Sequence, residues 1–420
     1  MKHFSVNSSP ALWLILSLVS AGSMAYYVAD IWSANQPPQF SDLYAPWWAA
    51  HELLLHGRNP YSPAVAHEIQ TVIYGAPVTP SRNDPSGIGG GFSYPPYASL
   101  PLWPLVYVPF PAAQKIFLFA STMVTALSLA IWVRIVRLRF KPVQWFITVV
   151  FVLGSFPALQ AIKLQNLSVV ASAMLALTLF LVAADHLVFA GALLAVSTFK
   201  PQFTITLVPW LLIWTCSDWR RRRSLAWSFL ATMVLLISFS EWLTPNWIGD
   251  FLHVIRAYQQ YTYGHSLLDV WFSPTFGPIV SAVLVLLAWA LCWPHRYQPA
   301  DSAKFVLVTS LLLAANVVVI PTLAPHAQLL LLPGFLCLLP GFAIAPKPQR
   351  FSRILRASAW MLLAWSWIAA VGLLLARTWF SAPALLRFWQ VPLYTSPLLP
   401  LAMLLALIFA LRAEPDKLDS

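Results

Sequence analysis

Asp42 is a carboxylate that could act as a base at a membrane surface. It follows an apolar run, residues 11–29, which is long enough to cross a bilayer. A carboxylate at that position could take the proton from an incoming hydroxyl, so Asp42 is the predicted general base. A structural alternative exists, because Asp is favoured at helix N-caps and Asp42 precedes an apolar helical pattern over 43–56. The two roles are compatible.

Three short polar turns interrupt otherwise apolar sequence farther along the chain: "KLQN" at 163–166, "FKPQF" at 199–203 and "PTLAPHAQ" at 321–328. Each could simply cap a helix or let a long side chain reach the membrane surface. All three are predicted on the same side of the membrane as Asp42, so we expect them to line one cavity with it. The turn "GRNPYSP" should add two more side chains. The candidate substrate-binding residues are Lys200, His326, Arg58, Tyr61, Gln165, Asn166 and Gln202.

The chemistry of such a cavity suits a lipid-linked phosphate, because cations and amides face a carboxylate at membrane depth. A metal is not expected. The histidines of "HELLLH" (51–56) are one residue too far apart for the zinc-protease pattern, and a solvated polar face is the simpler interpretation. No other cofactor is predicted. If Asp42 only caps its helix, the base is to be sought at Glu52, Asp250 or Asp269.

The composition indicates an all-α polytopic membrane protein. Of 420 residues, 59% are hydrophobic and only 9% are charged, and the mean hydropathy is +0.70. Soluble domains carry about 25% charged residues, and a chain this apolar could not bury its surface in water. The net charge of +11 would suggest nucleic acid in a soluble protein. Here it is assigned to loops held in the cytosol, so no nucleic-acid partner is expected.

We predict a single integral membrane domain over 1–420 with about twelve membrane segments, both ends being cytosolic. The run at 11–29 is interpreted as a retained span rather than a cleaved signal peptide. The region 187–215 is predicted to enter the membrane and return to the cytosolic side as a short hairpin, with Lys200 near its tip. This course keeps the four arginines at 220–223 in the cytosol. The remaining apolar runs are 112–133, 143–159, 167–184, 225–242, 274–293, 304–320, 327–345, 355–376 and 395–411.

Two large extracytoplasmic loops are predicted, over 30–111 and 243–273. The first should contain an amphipathic helix at 42–56, with Trp47 and Trp48 as interfacial anchors, and a second helix at 63–73. The segment 92–110 is apolar but carries five prolines, so it cannot form a regular span.

The order of these motifs resembles glycosyltransferase family 87. The matching pieces are "SDLY…HELLLHGRNPYSP", "YGAP", "FSYPPY", "LQNLSVVASAMLAL", "AGALLAVSTFKPQ" and "PHAQLLLLP". The resemblance implies a GT-C fold and the activity of the polyprenol-phosphate-mannose-dependent α-mannosyltransferases. It also implies that Asp42, which matches the Asp upstream of "NPY", is the catalytic base.

The expected function is therefore transfer of a hexose from a polyprenyl-phosphate donor, with mannose as the first candidate for the sugar. The acceptor would be a lipid-linked or envelope glycan, reached on the extracytoplasmic face of the plasma membrane. A single base opposite a good leaving group favours inversion at the anomeric carbon. The alternative is a transporter or flippase for a lipid or sugar phosphate, which would equally explain a lysine within the membrane. A structural role in an envelope assembly is a third interpretation.

Overall fold

A computed structural model describes residues 4–5, 10–32, 38–80, 87–262, 266–321, 324–338, 372, 375–376, 378–381 and 398–412. The α-helices are α1 (Pro10–Trp32), α2 (Tyr44–His56), α3 (Pro63–Tyr74), α4 (Phe110–Val136), α5 (Pro142–Leu153), α6 (Phe156–Lys163), α7 (Ser168–Ala183), α8 (Leu187–Ser197), α9 (Leu207–Ser217), α10 (Trp219–Leu243), α11 (Trp247–Thr262), α12 (Leu267–Phe272), α13 (Gly277–Cys292), α14 (Ala303–Val319), α15 (Leu332–Leu338) and α16 (Leu398–Arg412). Short 3₁₀ helices cover Pro38–Phe40, Pro96–Leu105, Pro201–Phe203, Trp293–His295 and Pro325–Leu331. Phe4–Ser5 (β1) pairs in parallel with Leu138–Arg139 (β2).

Among the described residues, three helices are long and apolar enough to cross a membrane: Phe110–Val136, Trp219–Leu243 and Gly277–His295. A fourth span is possible if α5 and α6 count as one, although they meet at a bend of 59°. Other apolar helices are shorter, and an 11-residue helix such as α8 rises only about 16 Å, against roughly 30 Å of hydrocarbon. The predicted count of twelve membrane segments is therefore not confirmed. Most of the predicted span 355–376 and the end of the run 327–345, residues 339–345, fall outside the described residues.

The helical pattern breaks at Lys200–Pro201, where the hairpin was predicted. Residue numbers increase in the same direction along α8 and α10, because Gly191 lies against Leu225 and Thr198 lies against Met233. The two helices therefore run in the same direction. Because α9 joins them and meets α10 at a sharp turn, α9 runs back. Gly191 permits the close approach, since a Cβ there would lie 2.3 Å from the carbonyl oxygen of Leu225.

The course of α8, α9 and α10 separates two ends of the helical bundle. Turns carrying Asn166 and Lys200 lie at one end with Asp42, and we call this the Asp42 end. Arg222 and Trp214 lie at the other, beside the turn at 296–298, and we call this the Arg222 end. An 11-residue helix, α9, connects the two.

Helix α2 packs into the protein on the side that carries Tyr44, Trp47 and Leu53. Trp47 is 5% exposed and its Nε1 donates to the carbonyl oxygen of Leu105 at 2.9 Å. Trp48 is half-buried and its Nε1 donates to Glu68 Oε2 at 3.0 Å. The predicted role as an interfacial anchor is wrong for Trp47, because its side chain is buried in the protein, whereas for Trp48 it stays a prediction.

The second helix of this region, predicted at 63–73, spans Pro63–Tyr74, with the Ser62 hydroxyl capping its N-terminus. The proline-rich segment after it forms the 3₁₀ helix Pro96–Leu105, with Pro101 and Pro104 inside. As predicted, it is not a regular span. Proline removes the backbone donors that an α-helix needs, while 3₁₀ turns tolerate the loss.

Candidate functional site

The site is built on the C-terminus of α6. After Lys163 the chain closes a Schellman motif: the backbone N of Gln165 donates to the Ile162 carbonyl (3.0 Å), and that of Asn166 donates to the Ala161 carbonyl (2.8 Å). This motif normally places glycine in the left-handed region. Here Gln165 takes it, with φ of +56°. A side chain held in an unfavourable backbone conformation is common at functional sites.

The segment carrying Asp42 crosses this helix end and is tied to it by hydrogen bonds. The backbone N of Asp42 donates to the carbonyl oxygen of Leu164 at 2.7 Å. Beside it, the Ser41 hydroxyl donates to Gln165 Oε1 at 2.5 Å. Glycine would suit the backbone at position 165 but could not accept the Ser41 bond. The Gln165 side chain therefore holds this segment in place. Asp42 does not cap α2, because the helix begins at Tyr44 and its N-cap, Leu43, makes no side-chain cap.

Asn166 lies at the centre of a chain of polar groups. Its Nδ2 donates to Asp42 Oδ2 at 2.7 Å. Its Oδ1 accepts from Lys200 Nζ (2.7 Å), from the Ser168 hydroxyl (2.6 Å) and from the Ser168 backbone N (2.9 Å). Only one orientation of the amide satisfies all four contacts, since its oxygen must face donors and its nitrogen a carboxylate.

Lys200 is 3% exposed. Its ammonium donates to Asn166 Oδ1 and, at 2.6 Å, to Ser168 Oγ, and it lies 5.0 Å from the centroid of the Phe203 ring. A buried cation is tolerated only when it is hydrogen-bonded and matched by an anion. The anion is Asp42, which lies within electrostatic reach beyond Asn166.

Asp42 has one anchored oxygen and one open oxygen. Oδ2 receives the Asn166 bond, whereas Oδ1 has no hydrogen-bond partner in the described part of the chain. The residue is exposed, yet the surrounding protein desolvates it, as for a carboxylate on the wall of a cleft. This desolvation raises the pKa of Asp42 above its ordinary value, while the Asn166 bond and the Lys200 charge oppose the rise.

Two further groups border this chain. His326 lies within electrostatic reach of Lys200, and its buried Nδ1 has no hydrogen-bond partner among the described residues. Tyr94 lies within reach of both Asp42 and Tyr258. Tyr61 stabilises this region indirectly, because its hydroxyl donates to the carbonyl oxygen of Tyr94 at 2.6 Å.

Arg58 is held elsewhere, between two carboxylates. Its guanidinium lies 2.6 Å from Glu52 Oε2 and 2.7 Å from Glu68 Oε1, and no contact joins it to Asp42, Asn166 or Lys200 in the described structure. The prediction that Glu52 lies on a solvated face is wrong, because Glu52 is 4% exposed. Its burial is possible because Arg58 matches its charge.

The cluster of His51, Glu52 and His56 is more compact than the sequence suggested. One ligand atom from each lies within 4.8 Å of the others. His51 Nδ1 is 3.1 Å from Glu52 Oε1, while Arg58 contacts the second oxygen of the same carboxylate. The charge that a cation would need is thus already shared with Arg58.

The remaining candidates have structural partners. Gln202 contributes its backbone carbonyl, which accepts from Asn316 Nδ2 at 2.8 Å. Of the alternative carboxylates, Asp250 accepts from Asn59 Nδ2 at 3.1 Å, and Asp269 forms a capping box with Ser266 at the start of α12.

A cavity of about 730 Å³ lies between α1 and α5 and is almost wholly apolar. It is lined by Ala21, Met24, Val28, Phe146 and Val150, among others, and by none of the polar residues described above.

Sequence reasoning missed Ser41, Ser168, Tyr94 and Tyr258. The first two adjoin predicted residues, so proximity in the chain was the available signal. For the tyrosines, the signal was the aromatic content of "FSYPPY" and of the second predicted extracytoplasmic loop, 243–273.

Comparison with protein families identifies the family of the chain. The model of glycosyltransferase family 87 matches residues 92–321, a stretch that includes Asn166, Ser168 and Lys200. No curated protein matches the chain. Since the family model covers more than half of the sequence, the protein belongs to glycosyltransferase family 87 and is a membrane glycosyltransferase.

Proposed function

We propose that the protein transfers a hexose, namely mannose, from a polyprenyl-phosphate donor to a lipid-linked or envelope glycan. The observation that carries this proposal is the exposed Asp42 carboxylate, with one oxygen anchored and the other without a partner in the described structure. A general base needs such an arrangement, because it must be held in place and still reach the hydroxyl that it deprotonates.

The proposed reaction is a single displacement. The acceptor hydroxyl oxygen forms a bond to the anomeric carbon, its proton passes to Asp42 Oδ1, and the bond to the phosphate oxygen breaks. Polyprenyl phosphate leaves as an anion, so no general acid is required. Attack opposite the leaving group inverts the anomeric carbon, and a β-linked donor gives an α-linked product.

Charge on the departing phosphate needs a positive or hydrogen-bonding environment. His326 is the proposed phosphate contact, because its buried Nδ1 is unpartnered in the described structure and it lies near Lys200. Lys200 supplies positive electrostatic potential to the site from its buried position. The cavity is supported by Gln165, Asn166, Gln202 and Tyr61. Arg58 acts indirectly, through its ion pairs with Glu52 and Glu68.

The Asp42 end is proposed to face the extracytoplasmic side of the plasma membrane. Three exposed arginines, Arg220, Arg221 and Arg223, lie at the opposite end, and positively charged segments stay in the cytosol. A topology reporter at residue 222 should read cytosolic, and reporters at 85 and 260 should read extracytoplasmic. An outside signal at 222 would reverse the assignment.

The activity is tested with purified protein in lipid nanodiscs, radiolabelled polyprenyl-phosphate-mannose and a glycolipid extract as acceptor. We expect a labelled glycolipid with inverted anomeric configuration. A polyprenyl-phosphate-glucose arm tests the identity of the sugar. No observation favours the transporter alternative, which predicts donor movement across a liposome membrane without a labelled product.

A further inference from the structure

We infer that Lys200 and Asn166 form a positioning pair for Asp42, and that the Lys200 ammonium does not contact the donor phosphate. The inference rests on the proposed function only in taking Asp42 as the base. It changes the role of the lysine from a substrate ligand to a group that acts through another residue.

The hydrogen bonds show how the pair works. Lys200 Nζ approaches the oxygen of the Asn166 amide, and the nitrogen of the same amide approaches Asp42. A cation at the carbonyl end polarises the amide and makes its N–H a stronger donor. The carboxylate is thereby oriented with Oδ2 inward and Oδ1 free.

Burial argues against contact between Lys200 and phosphate. The side chain is 3% exposed, and two of its three N–H donors are used by Asn166 and Ser168. The face near the ammonium is covered by the Phe203 ring. A phosphate would have to displace these groups, and Asn166 would then lose its link to the charge.

The arrangement has a consequence for pH. Among the described residues, the titratable groups within electrostatic reach of Asp42 are Lys200 and Tyr94, and His326 lies close to Lys200. At the pH of activity the phenol is neutral, so Lys200 is the neighbour that favours the ionised carboxylate. Without the Lys200 charge, the pKa of Asp42 should rise.

The test is the pH at which Asp42 is half protonated, measured in Lys200→Met and in Asn166→Ala. Dicyclohexylcarbodiimide labels protonated carboxyls at apolar sites, and peptide mass spectrometry reports the labelled fraction at Asp42 against pH. In Lys200→Met the Asn166 oxygen keeps both Ser168 donors, so folding should be preserved. Asn166→Ala provides a second perturbation, which removes the hydrogen bond to Asp42 directly. Arg137→Met, which removes a cation paired with Asp301, is the control.

We expect the labelling midpoint to move to higher pH in both variants and to stay unchanged in Arg137→Met. The acidic limb of kcat/KM should move in the same direction, so that the deficit is greatest at low pH and narrows as the pH rises. A midpoint that is unchanged in Lys200→Met would overturn the inference. So would a rise in donor KM that is equal at every pH, because it indicates a phosphate ligand.

The labelling experiment requires no turnover. If the midpoint shifts but no glycosyl transfer is seen with polyprenyl-phosphate sugars, the positioning pair stands and the proposed donor is wrong. If transfer occurs and the midpoint does not shift, the proposed function stands and the pair is rejected.

Discussion

Two buried cations lie at opposite ends of the bundle, and their partners differ. Arg222, 6% exposed, donates to the carbonyl oxygens of Trp214, Arg296, Tyr297 and Gln298, and its guanidinium lies 3.9 Å from the centroid of the Trp214 ring. Lys200, 3% exposed, donates to the side chains of Asn166 and Ser168. Arg222 thus binds backbone, whereas the contacts of Lys200 lead to a carboxylate.

The difference separates structural from chemical use of a buried charge. Carbonyl groups at the ends of α9 and of the 296–298 turn need donors, and one guanidinium supplies several of them. Nothing in that set can exchange a proton. At the Asp42 end the network terminates in an open carboxylate oxygen, which can. We therefore expect substitutions at the Arg222 end to change stability and those at the Asp42 end to change transfer.

The largest expected effect on transfer comes from Asp42→Asn. Asparagine keeps the size of the side chain, and its oxygen can still accept from Asn166 Nδ2, so the melting temperature should not change. Transfer should fall by about 100-fold or more, the usual contribution of a positioned general base. Initial rates with labelled donor and a melting curve on the same preparation measure both quantities. Unchanged rates would place the base elsewhere.

Arg222→Met should give the opposite pattern. Hydrogen bonds from a charged group contribute about 1.5–3 kcal/mol each, and partial replacement by water leaves an expected net loss of about 2 kcal/mol in stability. The activity of the protein that remains folded should match wild type. Thermal unfolding, followed by a rate normalised to folded protein, measures this outcome. If the normalised rate of Arg222→Met were as low as that of Asp42→Asn, the two ends would not differ in function.

Arg58→Met should also act on stability more than on transfer. Glu52 is buried and would lose its guanidinium partner, so the melting temperature should decrease. The donor KM should change little, because Arg58 has no described contact with the Asp42 network. Saturation curves for the donor measure this. A large rise in KM with an unchanged melting temperature would return Arg58 to the phosphate site.

Gln165→Gly should have a small effect on both stability and transfer. It relieves a left-handed backbone, which costs a non-glycine residue about 1 kcal/mol, so the melting temperature should stay the same or rise. Transfer should fall a few-fold, because Ser41 loses its acceptor and the Asp42 segment is less firmly held.

The matched control is Asp185→Gly. Asp185 has a φ of +61° and occupies the same position in a Schellman motif after α7, at the Arg222 end. It should show the same stability change with normal transfer. Equal transfer in the two glycine variants would mean that the Ser41–Gln165 bond does not position Asp42.

The sequence predicted which polar residues lie close together better than it predicted which contacts they make. Asp42, Asn166 and Lys200 could be selected because polar residues interrupt apolar segments, and such groups are expensive in a membrane unless they are used. The contact between Asp42 and Asn166 joins positions 124 residues apart, so no local pattern could reveal it. Lys200 was predicted to bind phosphate because its charge was visible and its hydrogen-bond partners were not.

The errors have the same origin. Trp47 fits an interfacial pattern, but the Leu105 carbonyl that accepts its indole bond lies 58 residues away. Glu52 was placed in solvent because Glu is rarely buried without a partner. The break at Lys200–Pro201 was predictable, since the chemistry of proline acts locally.

The central claim is that transfer occurs at the open oxygen of Asp42. The most direct test is a structure with a bound phosphonate analogue of a polyprenyl-phosphate hexose, which cannot transfer its sugar. We predict that the anomeric carbon lies on the side of the cleft faced by Asp42 Oδ1, with Asn166 still bonded to Oδ2. A sugar bound facing Glu52, Asp250 or Asp269 instead would contradict the claim.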